Sequence, residues 1–310
     1  MKEQQKFAAF PPVPAQAGKL ALVTGTGGLG LETAKALVAA GAHVILAGRN
    51  REKGQEAVAT IRALTPEGQV EFEEMDLADL ESVAGFAKRM VARGQAVDLL
   101  INNAGIMSPP KRRTTRDGFE VQFGVNHLGH FALTAQLLPL LRAAKAARVV
   151  HVTSLAHHFA KLDFDDLQNE RHYKPGVAYS QSKLAVALFA RELQKRSEAA
   201  GWGIASLAAH PGYASTNLIA AEQGSKGFMS LLGAYLVGPL LGQSAAAGAL
   251  PTLMAATSPD AVGGELYGPT GFMSMKGAPG RCAYHKNALD DDAARRLWEV
   301  SEQLTGLSFD

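Results

Sequence analysis

A glycine-rich turn set between a buried strand and a helix restricts the folds open to this chain. Leu20-Ala21-Leu22-Val23 is a short apolar run and reads as a buried strand. Thr24-Gly25-Thr26-Gly27-Gly28-Leu29-Gly30 follows, then a helical pattern to Ala40, a stop at Gly41 and a second strand from His43 to Ala47. Gly25, Gly27 and Gly30 fit G-x-G-x-x-G inside a strand, turn, helix, strand unit of about 30 residues, the context a dinucleotide-binding turn requires. Glycines let the backbone approach a pyrophosphate, and the helix N-terminus favours its negative charge. The competing reading is a merely tight β-α turn, and the context favours the nucleotide.

The alternation continues. Asn50 to Leu64 reads as helix, Gln69 to Glu74 as strand, Leu80 to Ala92 as helix, and Val97 to Ile101 as a buried strand ending in Asn102-Asn103-Ala104-Gly105. Phe119 to Ala144 reads as one long helix. Arg148 to Val152, Trp202 to Ala208 and Gly264 to Tyr267 read as strands, and Gln243 to Ala256 as a helix. This pattern predicts an α/β fold, a single-domain doubly wound (Rossmann) parallel sheet of about seven strands with helices on both faces. Residues 1–17 form a Pro-rich N-terminal arm and 18–310 the domain, with an apolar segment at 214–241 and a C-terminal tail at 268–310. Ligands of such sheets bind beyond the carboxyl ends of the strands. Asp76 and Asn102 fall at that edge, and Asp76 can equally serve as a helix cap.

Bulk numbers narrow the function classes. Net charge is +2 with no long basic run, and Lys111-Arg112-Arg113 reads as a solvated loop, so no nucleic-acid partner is expected. One cysteine, Cys282, excludes an internal disulfide framework and points to a reducing, cytoplasmic setting. The N-terminus lacks a signal-peptide core. The most apolar stretch, Gly227 to Leu241, is short and broken by Gly and Pro, so no transmembrane segment is expected.

The stretch Val177 to Lys183 carries candidate chemistry. Tyr179 and Lys183 are four apart, which puts them on one face of a helix about 6 Å apart along its axis. A fixed cation lowers the pKa of a phenol, which can then exchange a proton with an alcohol or carbonyl oxygen. In isolation, a Tyr and a Lys at this spacing are more often surface residues.

TGTGGLG, NNAG, Asn126, Ser154, YSQSK and HPGYAST stand in the order seen in short-chain dehydrogenases/reductases, and the chain resembles that family from about Gly18 to Tyr267. Phe164-Asp165-Asp166-Leu167 and Gly268-Pro269-x-Gly271-Phe272 are similar to the retinol-dehydrogenase-like branch, which also resembles WW-domain oxidoreductases and protochlorophyllide reductases. The resemblance implies that Tyr179 is the general acid/base and that Lys183 lowers its pKa and bonds the nicotinamide ribose. It implies that Ser154 orients the substrate oxygen and that Asn126 holds a water linking Lys183 to solvent. Implied cofactor contacts are Gly25, Thr26, Gly28, Leu29 and Gly30 in the turn, Arg49 and Asn50 after the second strand, and Asp76 and Leu77 after the third. Asn103, Ala104 and Gly105 after the fourth strand, Tyr179, Lys183, and Pro211, Gly212 and Thr216 complete that set.

Two features depart from the family pattern. The glycine turn is one residue shorter than TGxxxGxG. Ser154 and Tyr179 are 25 residues apart, with an insertion at about 157–176 that is expected beside the substrate mouth. The insertion holds His157, His158, Asp163, Asp165, Asp166 and His172, without the spacing of a recognised zinc motif, and no metal is expected. His127 and His130 read as packing or interface residues. Gly48 stands where an NAD-preferring relative would carry a carboxylate, and Arg49 follows, so NADP(H) is expected over NAD(H), which remains usable. The expected reaction interconverts a small hydrophobic alcohol and its carbonyl, in a homodimer or homotetramer. Reduction of an activated C=C bond and non-catalytic nucleotide sensing are the alternatives.

Overall fold

The structure is a computed structural model, and it describes residues 13–213 and 243–309. The strands are β1 (Leu20–Thr24), β2 (His43–Gly48), β3 (Val70–Glu74), β4 (Leu99–Asn102), β5 (Arg148–Val152), β6 (Ala205–Ala209), β7 (Leu266–Pro269) and β8 (Pro279–Cys282). They form one sheet in the order β3-β2-β1-β4-β5-β6-β7-β8. All neighbours pair parallel except β7 and β8, which are antiparallel. The order reverses between β1 and β4, which opens a crevice at their carboxyl ends.

Both sheet faces are covered, so β1 is buried along its whole length. Leu20 and Leu22 face one core with Phe86, Phe131, Phe189 and Trp298. Ala21 and Val23 face the other, with Leu37 and Val38 of α1 (Gly28–Ala39), Val58 and Ile61 of α2 (Arg51–Leu64) and later helices. Each such side chain contributes about 1.5–3 kcal/mol on full burial. Helix ends follow local chemistry. Asn50 caps α2 through Lys53 N at 2.8 Å, and Asp79 caps α3 (Leu80–Arg93) through Glu81 N and Ser82 N.

Three features differ from the sequence reading. The sheet has eight strands rather than about seven. β8, Pro-Gly-Arg-Cys, has no apolar alternation to mark it, and it is held by pairing with β7 at the sheet edge. The expected long helix from Phe119 to Ala144 is interrupted. It consists of α4 (Val121–Phe123), a π-helical turn (Gly124–Leu128), α5 (Gly129–Gln136) and α6 (Leu138–Arg142), with Pro139 at the start of the last. The stretch 268–310 also holds a helix. After α7 (Pro175–Ala200) and α8 (Ala245–Thr257) comes α9 (Asp291–Thr305), which packs on α7 and buries Trp298 against Phe131, Phe189 and Phe309. Residues 1–12 of the expected arm and 214–241 lie outside the described residues. From Val13 on, the arm docks on the domain, with Gln16 N donating to Ala40 O at 2.7 Å.

Candidate active site

The glycine turn closes on itself tightly. Gly25 has φ +95°, where L side chains are strained. A side-chain carbon at Gly30 would stand 2.6 Å from both Gly25 O and Asn103 Nδ2. Asn103 holds the turn by donating from Nδ2 to Thr24 O at 2.7 Å. Gly27, by contrast, faces open space and caps α1 with no side-chain hydrogen bond, and the first turn of α1 carries no acid. Its leading N–H groups are therefore available to an anion.

At the end of β2, Gly48 lies against the turn, where a side-chain carbon would meet Thr26 Cγ2 at 3.1 Å. Arg49 is exposed and forms no side-chain hydrogen bond or ion pair with the described residues. Arg51, two positions on, pairs with Glu74 at 3.1 Å. Asp76 folds back so that Ala78 N donates to its Oδ1 at 2.9 Å, which makes it a turn cap as well as an edge residue. Leu77 is buried.

β5 and α7 bring the proton-transfer candidates together. Thr153 donates from Oγ1 to Lys183 O at 2.7 Å and ties the end of β5 to α7. The Ser154 hydroxyl lies near enough to the Tyr179 phenol to act on its ionisation. Lys183 Nζ lies 5.9 Å from the Tyr179 ring centroid and donates to Val152 O at 2.9 Å. Burial lowers the Lys183 ammonium to about 8. The protein around the Tyr179 phenol raises its pKa above the ordinary 10.0, and the Ser154 hydroxyl opposes that. The expected lowering by Lys183 is not among the influences on the phenol in this state, in which desolvation sets the direction. Asn126 sits in the π turn, a distortion frequent at functional sites. Its Oδ1 accepts from Ile106 N at 2.8 Å, and its Nδ2 donates to Ile106 O at 3.0 Å and Ser182 Oγ at 2.9 Å. A side-chain carbon at Gly105 would be 3.1 Å from Asn126 Oδ1 and 3.5 Å from Lys183 Nζ, so the end of β4 lies over the pair.

Pro211 and Gly212 close the far side. Gly212 has φ +64°, and a side chain there would strike Met275 O and Pro269. The Gly268-Pro269 stretch thus supports the turn after β6. Thr216 lies outside the described residues.

The glycine turn, the Ser154/Tyr179/Lys183 face and the end of β4 share one sheet edge. Residues 19–226 match the family model for short chain dehydrogenase. The chain belongs to the short-chain dehydrogenase/reductase family. Human retinol dehydrogenase 13 is 40% identical over 99% of this chain and 90% of its own length. Mouse polyprenol dehydrogenase is 40% identical over 96% and 87%. The crystal structure of an uncharacterized protein from Mycobacterium paratuberculosis superposes with TM-score 0.78 at 40% identity, covering 96% of this chain and 97% of that one. A structure described as an NAD(P)-dependent gluconate 5-dehydrogenase from Beutenbergia cavernae, with NADP bound, has TM-score 0.64 at 27% identity over 81% and 95%. This short-chain dehydrogenase is an NAD(P)-dependent oxidoreductase of the retinol-dehydrogenase-like branch, and its chemistry is that of alcohols and carbonyls.

In this dehydrogenase several polar residues hold the candidate site together through partners that the sequence did not indicate. Thr24 accepts from Asn103 N and Ala104 N, both at 2.9 Å, and its Oγ1 lies 2.9 Å from His130 Nε2. Ser182 anchors Asn126. Buried His157 donates from Nδ1 to Ser154 O at 2.6 Å. Ser182 lies inside the Tyr179–Lys183 turn, which was its only sequence signal. The insertion uses its acids in turns: Asp163 Oδ1 accepts from Asp165 N, and Asp166 from Glu170 N and Arg171 N. Among the described residues no group of three His, Cys, Asp or Glu side chains is placed to hold a metal, and no helix is long and apolar enough to cross a membrane.

Proposed function

We propose that this dehydrogenase is an NADP(H)-preferring enzyme that interconverts a hydrophobic alcohol and its carbonyl, with Tyr179 as general acid/base. The neighbouring Ser154 and Tyr179 hydroxyls beside buried Lys183, on the same edge as an open, uncapped glycine turn, carry the reading. The residues present fit a dinucleotide. The uncapped start of α1 and the open face of Gly27 suit its pyrophosphate, and Asn103, Ala104 and Gly105 border its path. A bound nicotinamide supplies or accepts the hydride. In the reducing direction Tyr179 gives its hydroxyl proton to the carbonyl oxygen. Ser154 donates a hydrogen bond to that oxygen as negative charge develops on it. Lys183 places a cation beside the phenolate that forms.

An exposed groove of about 390 Å³ lies at the start of α7, one residue beyond Tyr179. It is lined by Phe159, Val177 and Ser180 together with Lys161 and Lys174, and its apolar part is offered as a place for an apolar substrate. Phe159 is 87% exposed and Val177 55%. The relatives named for retinol and polyprenol are named for apolar alcohols. The apolar segment 214–241, whose composition led to the expectation of a substrate lid, lies outside the described residues. NADPH consumption with a panel of aldehydes, ketones and enones tests the reaction class. Turnover of aldehydes or ketones is expected, and reduction confined to the C=C bond of enones would overturn the proposal. Across a homologous series of carbonyls kcat/KM is expected to rise with chain length, by up to the equivalent of about 0.8 kcal/mol for each buried methylene. A flat series, or a preference for charged substrates, would reject the apolar mouth.

Cofactor preference rests on Gly48 and Arg49. No carboxylate stands at the end of β2 to oppose a 2′-phosphate, and the free guanidinium of Arg49 can fork onto one. Lys53, exposed one turn into α2, adds positive charge. NADPH is expected to be preferred over NADH by at least about tenfold, or roughly 1.4 kcal/mol. Arg49→Ala should remove most of the preference and leave NADH use nearly unchanged. Gly48→Asp should reverse it, with Thr26 shifting by a few tenths of an ångström to admit the new side chain. Equal weakening of both cofactors in Arg49→Ala would show that Arg49 does not read the phosphate.

A further inference from the structure

We propose that His130 is a positioning residue that links the glycine-turn edge of the sheet to the Asn126 turn. The inference rests on the site assignment above and adds a residue to it. His130 is 3% exposed. Its Nδ1 lies 3.1 Å from the backbone carbonyl of Asn126, and its Nε2 lies 2.9 Å from Thr24 Oγ1.

The chemistry of the partners sets the direction of each bond. A carbonyl only accepts, so Nδ1 carries the proton and donates to Asn126 O. A neutral imidazole then has a bare Nε2, which must accept. Thr24 Oγ1 already accepts from Asn103 N and Ala104 N, so its own proton is free to be donated. Two acceptors compete for that proton, Ile101 O at 3.3 Å and His130 Nε2 at 2.9 Å, and the shorter contact is the histidine. The result is one directed chain: Asn103 N–H and Ala104 N–H to Thr24, Thr24 to His130, His130 to Asn126.

Each end of the chain lies at a part of the site. At one end are the β4 residues that border the cofactor path. At the other, Asn126 holds Ile106 by two hydrogen bonds and Ser182 by a third, and sets Gly105 over Lys183. The ring has to stay neutral for the chain to hold, because a protonated Nε2 would point a donor at the Thr24 hydroxyl. Burial favours the neutral form and lowers the His130 pKa to about 4. The nearby Lys183 charge lowers it further, while the bond to Asn126 O opposes the shift.

Two conservative variants separate the two bonds. An asparagine amide reaches about as far as Nδ1, so His130→Asn keeps the donor to Asn126 and loses the acceptor for Thr24. A glutamine amide reaches the Nε2 position, so His130→Gln keeps the acceptor and loses the donor. The NADPH Kd, from NADPH fluorescence, is expected to be about tenfold weaker in Asn than in Gln, while kcat is lower in Gln than in Asn, also by about tenfold. The same variant being the poorer one in both NADPH binding and turnover, or no difference between the two variants, would overturn the proposal. A measurement on the unaltered protein decides it even if neither variant folds. ¹⁵N NMR at pH 7 should show the His130 ring protonated at Nδ1 alone, and a ring carrying its proton on Nε2, or on both nitrogens, would overturn it. A protein that turns over no carbonyl at all would refute the proposed function, whereas the Kd and NMR readings would still decide the role of His130.

Discussion

Tyr179→Phe is expected to fold, to bind NADPH and to lose about 10²–10⁴-fold in turnover, the usual contribution of a general acid–base group. The substitution keeps the ring and removes one oxygen. That oxygen lies near the Ser154 hydroxyl, on the helix face shared with Lys183. Folding should survive because the ring retains its place on α7. Lys183→Ala should lose both turnover and cofactor affinity, since its ammonium is assigned to the phenol and to the ribose. It also removes the donor to Val152 O. Steady-state kinetics with separate binding titrations distinguish the two variants. Near-normal turnover in Tyr179→Phe would sink the mechanism. Desolvation keeps the phenol protonated, so reduction should hold its rate through neutral pH. It should fall as Lys183 loses its proton near pH 8, the value to which burial lowers it.

Acid should unfold this protein well before its carboxylates are protonated. His127, His151 and His210 have pKa values lowered to about 3, and His130 and His157 to about 4, in every case chiefly by burial. In the unfolded chain each titrates near 6.5. Below 6.5 the unfolded state therefore binds more protons than the native one, and the linkage slope makes stability fall as pH falls. The contribution is complete above about 6.5 and drains away between there and about 3–4. Each histidine costs up to about 1.4 kcal/mol per pH unit in that window. All five act in the same direction, and since His127, His130 and His151 repel one another their contributions are shared rather than summed. Asp79 and Asp291, whose carboxyls are held low chiefly by Arg116 and Lys195, act in a separate and lower range, below their ordinary 3.8. Urea unfolding at pH 7.5, 6.5 and 5.5 checks the slope. His151→Asn, which removes one such group, should flatten it. A free energy unchanged from pH 7.5 to 5 would show that these rings are not neutral and buried.

Much of the architecture was legible locally. β1, β2 and β5 are apolar runs long enough for a strand and too short for a helix, and the glycine turn can be accommodated by few backbone paths. Tyr179 and Lys183 share a face because helical geometry imposes it at a spacing of four. The motif order located the glycine turn, Ser154, Tyr179 and Lys183 at one sheet edge. Less legible was anything that needed a distant partner. β8 has no pattern of its own and exists through its pairing with β7. α9 is amphipathic, but only the fold shows that Trp298 lands among Phe131, Phe189 and Phe309.

By itself the sequence determined the alternation of elements, the parallel sheet, the glycine turn and the spacing of the candidate acid/base pair. These depend on backbone sterics and periodicity within a few residues. Tertiary structure alone decided where polar side chains spend their hydrogen bonds. His130 and Thr24 are 106 positions apart, and His127 and Ser301 are 174. No local rule joins them, because each bond exists only after two helices or a helix and a strand have packed. The same holds for Lys183, whose ammonium is displaced toward neutrality by the protein that surrounds it and not by its neighbours in sequence.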